Sequence, residues 1–262
     1  MSNSTQLTNL FANAVAAGTI TSTTSTLLSG HLGAVVVAGA AGLDAENIQA
    51  SDVTLVTVLI DASSSIADRG LEQAVREGQH ALLDAFAGSK ERDGLLVALW
   101  TFNQQARVVH AYLPVPDAVR LDASNYRGGG STALYDTWCD ALAANLAYAQ
   151  QLRDSGTPCR SVVVVITDGE DVGSSRRAPD CAQLSRDLLA SEQFVLAFVG
   201  VGGSTDFRAV ARSMGIPDGC ITVQSSATAQ GLRKVFQMVS QSAIRVSQGM
   251  IQPGAQAGFF TP

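Results

Sequence analysis

From residue 53 onward, short apolar runs alternate with longer segments in which apolar residues recur at helical spacing. The runs are rich in Val, Ile and Leu, and they predict strands at 53–60, 95–102, 108–113, 161–167, 194–199 and 220–223. Apolar residues near a period of 3.6 predict a helix that contains Leu71, Val75, Leu82 and Phe86, and a second helix over 134–152. This alternation is typical of an α/β domain.

Two features of the strands predict the topology of the sheet. Only residues 103–107 separate the second strand from the third, too few for a crossover helix, so these strands are expected to pair antiparallel. Residues 162–166 are uninterruptedly β-branched, which is typical of a central parallel strand buried on both faces. We therefore predict a doubly wound, mostly parallel six-stranded sheet with one antiparallel edge strand.

The two ends of the chain differ from its middle. No Asp, Glu, Lys or Arg precedes Asp44, so residues 1–52 are predicted to form an uncharged N-terminal arm that packs on the domain at 53–246 or on another copy. Within it, residues 7–17 predict a short helix, which the hydroxyl and β-branched residues of 19–26 do not extend. Residues 247–262 lack periodicity and predict a flexible tail, with a frayed end favoured over a docking motif at Phe259 and Phe260.

Composition narrows the functional classes. A chain of 262 residues with 46% hydrophobic residues can bury a full core. The net charge of -6 and the scattered Lys and Arg residues exclude a phosphate-backbone binder, so nucleic acid is not expected as a partner. Four widely spaced cysteines without a Cys-x-x-Cys pair are interpreted as reduced thiols: Cys139, Cys159, Cys181 and Cys220.

Membrane and secretory segments are not expected. The most apolar window, 27–43, is interrupted by Ser29, Gly30 and His31 and falls short of the roughly 18 apolar residues that a span requires. No Lys or Arg precedes an apolar stretch at the N-terminus, as a signal peptide would require, so a cytoplasmic location is the prediction.

Oxygen-bearing side chains follow two predicted strands, and another lies in a glycine-rich loop. Asp61, Ser63 and Ser65 follow the first strand, Asp168 ends the fourth, and Thr132 precedes the second helix. In an open parallel sheet, ligands bind beyond the carboxyl ends of the strands where the strand order reverses, here between the first and fourth strands. An all-oxygen set suits a hard cation, and we predict Mg²⁺, with Mn²⁺ or Ca²⁺ as alternatives and one position open to an outside ligand.

These segments resemble the three metal-site motifs of the von Willebrand factor type A family, and the resemblance covers residues 53–245. The motifs are Asp61-x-Ser63-x-Ser65, Gly130-Ser131-Thr132-Ala133-Leu134-Tyr135-Asp136 and Thr167-Asp168-Gly169-Glu170-Asp171. The resemblance implies a metal-ion-dependent adhesion site, in which an Asp or Glu of a partner protein completes the coordination of Mg²⁺. It further implies an adaptor or assembly component, similar to bacterial cytoplasmic members of which some work beside MoxR-type ATPases.

Other interpretations remain open beside this one. A haloacid-dehalogenase-type phosphatase also places Asp and Mg²⁺ after its first strand, but it has a second Asp where Ser63 stands. No Walker A sequence or Gly-x-Ser-x-Gly elbow is present, and His31, His80 and His110 lie where none is an evident base for Ser63, so no catalytic residues are predicted. The alternative from another class is a structural scaffold that self-associates through its arm and tail.

A charged segment follows the fourth strand and flanks the predicted site. Its members could steer a charged partner or form a solvated loop: Glu170, Asp171, Arg176 and Arg177. Asp136, near the start of the second helix, is well placed to interact with the helix dipole.

Overall fold

In the computed structural model, which describes residues 4–203 and 205–261, six strands form one sheet with the order β3-β2-β1-β4-β5-β6. The strands are β1 (Val53–Asp61), β2 (Leu95–Phe102), β3 (Ala106–Pro114), β4 (Cys159–Thr167), β5 (Phe194–Val201) and β6 (Ile221–Gln224). All neighbours pair parallel except β2 and β3, which are antiparallel. The predicted doubly wound sheet with one antiparallel edge strand is confirmed.

Helices cover the sheet and precede it. They are α1 (Ser4–Ala16), α2 (Ser22–Ser29), α3 (Ala34–Gly39), α4 (Ser64–Asp68), α5 (Glu72–Ala87), α6 (Leu134–Asp154), α7 (Ala178–Ala190), α8 (Phe207–Ser213) and α9 (Ala229–Ser247). Helices α6 and α9 both contact β1 and β4, while α5 packs on α9 and α7 on α6. Because helices cover them, the strands β1, β2 and β5 are buried along their whole length.

The predicted N-terminal arm packs on the domain, with residues 1–3 of the predicted segment outside the described part. Helix α1 packs on α6, α2 on α7, and α3 on both α6 and β3. Leu7, Phe11 and Val36 have no exposed surface. Beyond α3, the backbone hydrogen-bonds to Tyr112 on the outer side of β3, where Leu43 donates to Tyr112 and Tyr112 donates to Ala41. The arm therefore covers part of the sheet edge that β3 would otherwise expose.

Helix α2 lies in the segment whose composition did not predict a helix. Thr21 caps it, since its hydroxyl accepts a hydrogen bond from the backbone N–H of Thr24 at 3.2 Å. The backbone N–H and hydroxyl of Thr21 in turn donate to Asp187 of α7, at 2.8 and 2.7 Å. Burial would raise the pKa of Asp187, but the hydrogen bonds from Thr21 and Thr24 outweigh it and hold this pKa below its usual value. Capping and tertiary contacts thus override the weak helix propensity.

The C-terminal segment is ordered against the domain, which corrects the expectation of a flexible tail for its described part, 248–261. Phe259 has no exposed surface, and Ile251 and Ala257 are also buried. The backbone of Gly254 donates to Phe194, and that of Phe260 donates to Gly219. Burial of an aromatic ring and two apolar side chains offsets the entropy lost on ordering a segment without periodicity. Residue 262 lies outside the described part.

The helices and the cysteines can be compared with the expectations for membrane insertion and for thiol chemistry. None of the helices in residues 4–203 and 205–261 combines the length and the apolar character needed to cross a membrane. All four cysteines are free thiols, as predicted, and the sulfurs of Cys139 and Cys181 lie 3.6 Å apart between α6 and α7.

Candidate metal centre

Two buried carboxylates lie at the carboxyl ends of neighbouring parallel strands. Asp61 is the last residue of β1, and Asp168 directly follows β4. The two strands pair in register up to Ile60 and Ile166, which places their ends at the same edge of the sheet. Asp61 is 1% exposed and Asp168 5% exposed. This is the reversal point of the strand order, because β1 lies between β2 and β4.

Hydrogen bonds hold the carboxylate of Asp61 in place. Its Oδ1 accepts from the backbone N–H of Ser63 at 2.8 Å, and its Oδ2 accepts from the hydroxyl of Thr167 at 2.5 Å. Burial raises the pKa of Asp61 to about 6; the hydrogen bonds from Thr167 and Ser63 oppose this shift, and the charge of Asp168 adds to it. Desolvation and a neighbouring like charge both disfavour the ionised form, so the site favours a nearby positive charge.

Two serine hydroxyls connect this region to Asp168. Ser63 precedes the short helix α4 and Ser65 lies in its first turn. Their hydroxyl oxygens are 3.0 Å apart, and the hydroxyl of Ser65 donates to Asp168 Oδ1 at 2.6 Å. Hydrogen bonds therefore connect the two serine hydroxyls with the carboxylate that follows β4, and the backbone N–H of Ser63 connects them with Asp61.

The glycine-rich loop brings Thr132 to the same group. Gly129 donates to the carbonyl of Ala62, while the carbonyl of Gly130 accepts from Ser64. Gly130 has a φ of 82°, a conformation that glycine adopts without strain. A Cβ added to Gly169 would lie 3.2 Å from Thr132 Oγ1, so the hydroxyl lies beside the residue that follows Asp168. Thr132 is 5% exposed.

Arg69 is part of the site and was not predicted. Its Nη1 lies 2.6 Å from Asp168 Oδ2, and the Asp168 side chain is fully buried while that of Arg69 is 39% exposed. Arg69 follows Ser65 by four residues, a spacing that places both side chains on the same side of a helical turn. That spacing was the available signal, but α4 is too short for its apolar pattern to predict a helix.

The donor set fits a hard divalent cation. Two carboxylates and three hydroxyls supply only oxygen, and hydroxyl or carboxylate oxygens are the ligands that Mg²⁺ binds, usually together with water. In the described ranges no three His, Cys, Asp or Glu side chains cluster for metal binding, so a metal here would depend on the hydroxyls. Arg69 supplies a single positive charge against the two carboxylates.

The charged segment after β4 is largely structural, which corrects part of the rim prediction. Arg176 is 8% exposed, and its guanidinium donates to Asp140 Oδ1 at 2.6 Å, so it does not present a free charge to a partner. Asp171 accepts from the backbone N–H of Tyr135 and caps the start of α6. Glu170 and Arg177 are exposed and remain candidates for the rim.

Asp136 does more than interact with a helix dipole. Its two carboxylate oxygens accept from the backbone N–H groups of Ser175 and Arg176, at 2.8 and 2.9 Å. The first turn of α6 is thereby bonded to the loop that follows Asp168. This connection holds the glycine-rich loop and the loop after β4 in a common arrangement around Thr132.

Comparison with known proteins agrees with this architecture. The family model of the von Willebrand factor type A domain matches residues 56–238. No curated protein sequence matches the chain.

Among solved structures, proximal thread matrix protein 1 from the mussel byssus is 19% identical with a TM-score of 0.50, over 74% of this chain and 46% of that one. The pilus adhesin SpaC from Lactobacillus rhamnosus GG is 14% identical with a TM-score of 0.55, over 74% and 30%. The PilB minor pilin from Streptococcus sanguinis is 11% identical with a TM-score of 0.55, over 77% and 63%. This chain spans less than two thirds of each of these proteins, and the likeness at such identities is one of fold. Because the family model covers more than half of its residues, the chain belongs to the von Willebrand factor type A domain family.

Proposed function

We propose that this protein is a metal-dependent protein-binding module whose site accepts an Asp or Glu side chain of a partner. The observation that supports the proposal is that two buried carboxylates lie at the reversal point of the sheet, with two serine hydroxyls bonded beside one of them and the Thr132 hydroxyl beside Gly169. These are the residues predicted as ligands: Asp61, Ser63, Ser65, Thr132 and Asp168. Domains of this family commonly mediate protein–protein interaction.

The charges of the site explain why a metal is needed for such a partner. Asp61 and Asp168 are both buried, and the chain carries a net charge of -6, so an acidic side chain would be repelled. Bound Mg²⁺ would supply the positive charge that a partner carboxylate requires, with Mn²⁺ or Ca²⁺ as alternative ions. The hydroxyls of Ser63, Ser65 and Thr132 supply further oxygen ligands for the metal without adding negative charge.

Binding rather than catalysis is the proposed activity. His80 hydrogen-bonds to the carbonyl of Leu121 and His110 to that of Ala111, both away from the first motif. The self-associating scaffold is less well supported, because apolar side chains from all three helices of the arm, such as Phe11, Leu28 and Val36, are buried within this chain. We propose an adaptor or assembly component in the cytoplasm, with a MoxR-type ATPase or a second copy of the chain as the partners to test.

Addition of Mg²⁺ is expected to raise the melting temperature, and Thr132→Ala is expected to abolish the increase. A ligand that binds only the folded state at 100 times its Kd stabilises it by about 2.7 kcal/mol, which corresponds to roughly 5 to 10 °C for a chain of this size. Differential scanning fluorimetry in Mg²⁺ and in EDTA measures the shift. The matched control is Thr157→Ala, a threonine that lies before β4 at the opposite end of the sheet.

An unchanged melting temperature of the wild type between Mg²⁺ and EDTA would contradict the metal site. A pull-down from the native host in Mg²⁺, with wild type and Thr132→Ala side by side, then tests the partner. Proteins recovered by the wild type and by Thr157→Ala but absent from Thr132→Ala are the expected result. Equal recovery by all three would show that binding does not depend on the metal.

Replacement of Arg69 by alanine is expected to destabilise the metal-free protein and to increase the stabilisation that Mg²⁺ provides. Asp168 loses its counter-charge, so the metal-free protein is expected to lose about 1 kcal/mol, a modest value because Arg69 is partly exposed. The Mg²⁺-induced increase in melting temperature is expected to exceed that of the wild type, since the guanidinium no longer competes for Asp168 Oδ2. Arg120→Ala, which removes an exposed arginine paired with Asp84, is the control. A smaller Mg²⁺ effect in Arg69→Ala would show that Arg69 assists the metal.

A further inference from the structure

A polar cavity of about 230 Å³ lies directly beside the candidate metal site. Its lining includes Ala62, which separates Asp61 from Ser63 in the chain, and the residues Arg107 and Arg127. Tyr126, also in the lining, donates its hydroxyl to the carbonyl of Asp61 at 2.6 Å. The cavity and the metal site therefore share the loop that follows β1.

The two arginines of this cavity have no acidic partner. In residues 4–203 and 205–261, eight arginines lie within 4.0 Å of a carboxylate, and Arg107 and Arg127 are not among them. Arg107 donates to the carbonyl of Asn125 and Arg127 to that of Ala123. Each guanidinium has five N–H groups, so most of its donors remain available. In a chain with a net charge of -6, two exposed arginines that line one cavity without a counter-charge favour an external anion.

The nearest acidic group along this loop is used locally. Asp122 Oδ1 accepts hydrogen bonds from the backbone N–H groups of Ser124 and Asn125, at 2.7 and 3.1 Å, and from the hydroxyl of Ser124. Asp122 is not part of the cavity lining. Its hydrogen bonds stabilise the turn that carries Asn125 and Tyr126, so the carboxylate orders the cavity wall and leaves the arginines available.

We propose that this cavity, which we call the arginine subsite, binds a second carboxylate from the same partner segment that reaches the metal. The proposal rests on the proposed function and extends it: the partner presents an acidic segment with at least two Asp or Glu residues. A guanidinium matches a carboxylate with two parallel N–H···O bonds.

The size and position of the subsite favour a side chain over a free ligand. Its volume is below the roughly 300–1,000 Å³ of pockets that bind drug-sized molecules. Free phosphate is also attracted to arginine, but it has no linked second group that could be held in place by binding at the metal. A peptide that reaches both sites gains from the high effective concentration of its second carboxylate once the first is bound.

The test measures the binding of synthetic peptides to the full chain in Mg²⁺ by fluorescence anisotropy. One peptide carries a single Asp in a Gly/Ser/Asn background, and four others carry a second Asp one to four positions further on. At one or more spacings, the wild type is expected to bind the two-Asp peptide about tenfold more tightly than the one-Asp peptide. Arg107→Gln combined with Arg127→Gln is expected to bind both peptides equally.

The control variant carries Arg120→Gln and Arg233→Gln, which change the net charge equally but lie in exposed pairs with Asp84 and Glu77. It is expected to keep the tenfold difference. Equal loss in both double variants would show a nonspecific charge effect and overturn the subsite. Inorganic phosphate is tested in the same way. If phosphate binds the wild type without Mg²⁺ at a concentration lower than that at which it displaces the two-Asp peptide, the subsite belongs to free phosphate and the proposal is overturned.

The two proposals fail in different ways. If the one-Asp peptide binds in Mg²⁺ but a second Asp adds nothing at any spacing, the arginine subsite is wrong and the metal site stands. If peptide binding is the same in Mg²⁺ and in EDTA and is unaffected by Thr132→Ala, the metal-dependent function is wrong. A tenfold gain that persists in EDTA and disappears in the arginine variant would show that the arginines bind a carboxylate independently of the metal, and would overturn the link between the two sites.

Discussion

Replacement of Asn145 by alanine is expected to lower the free energy of unfolding by about 3 kcal/mol. Asn145 lies in α6 without exposed surface and connects three strands through its side chain. Its Nδ2 donates to Tyr112 at 2.8 Å and to Thr57 at 3.2 Å, and its Oδ1 accepts from Ser161 at 2.6 Å. Each buried polar group left without a partner costs about 1–3 kcal/mol, and the truncated side chain also leaves a cavity.

The size of this effect depends on which groups lose their partners. Thr57 and Tyr112 keep each other, because their oxygens are 2.6 Å apart, whereas Ser161 loses the acceptor of its hydroxyl. Chemical denaturation followed by circular dichroism measures the change. The control is Asn9→Ala on the exposed side of α1, which is expected to change the free energy of unfolding by less than about 0.5 kcal/mol. A similar small effect at Asn145 would show that the network contributes little.

The Phe11→Ala variant is expected to lose about 3–5 kcal/mol in the same measurement, with a single unfolding transition. Phe11 has no exposed surface in α1, and α1 packs on α2 and α6, so the truncation leaves a cavity between the arm and the domain. A single transition is expected because the arm and the domain share one hydrophobic core.

Met250→Ala is the control for this variant, because Met250 is 66% exposed and its truncation removes little buried surface. Two separate transitions, or a loss below 1 kcal/mol, would show that the arm unfolds independently of the domain. That result would restore the scaffold interpretation, in which residues 1–52 are free to contact another copy of the chain.

The positions of the predicted carboxylates could be inferred from the sequence, whereas the contact of Arg69 could not. Asp61 and Asp168 could be placed at one edge of the sheet from the sequence, because parallel strands end on the same side and the strand order reverses between them. Arg69 could not, because its contact with Asp168 joins residues 99 positions apart through the conformation of one short turn. The same is true of Arg107 and Arg127, which line one cavity only because the start of β3 packs beside the loop that contains Asn125.

The errors of prediction have a common cause. Arg176 was expected at the rim of the site or in a solvated loop because it follows the fourth strand, but Asp140 on α6 neutralises its buried guanidinium. The C-terminal segment was expected to be flexible because it lacks periodicity, but Phe259 is buried, and Ala257 and Phe260 hydrogen-bond to Cys220 and Gly219. Both outcomes depend on partners that are distant in the chain.

By itself, the sequence determined the order and type of the main elements, the antiparallel edge pair and the strand ends at which Asp61 and Asp168 lie. These follow from hydrophobic period and connection length, which act between residues close in the chain. Only the tertiary structure decided that the arm and the C-terminal segment pack on the domain, that Arg69 pairs with Asp168 and that two arginines line one cavity. The physical reason is that burial and charge pairing depend on distances in space between residues far apart in sequence.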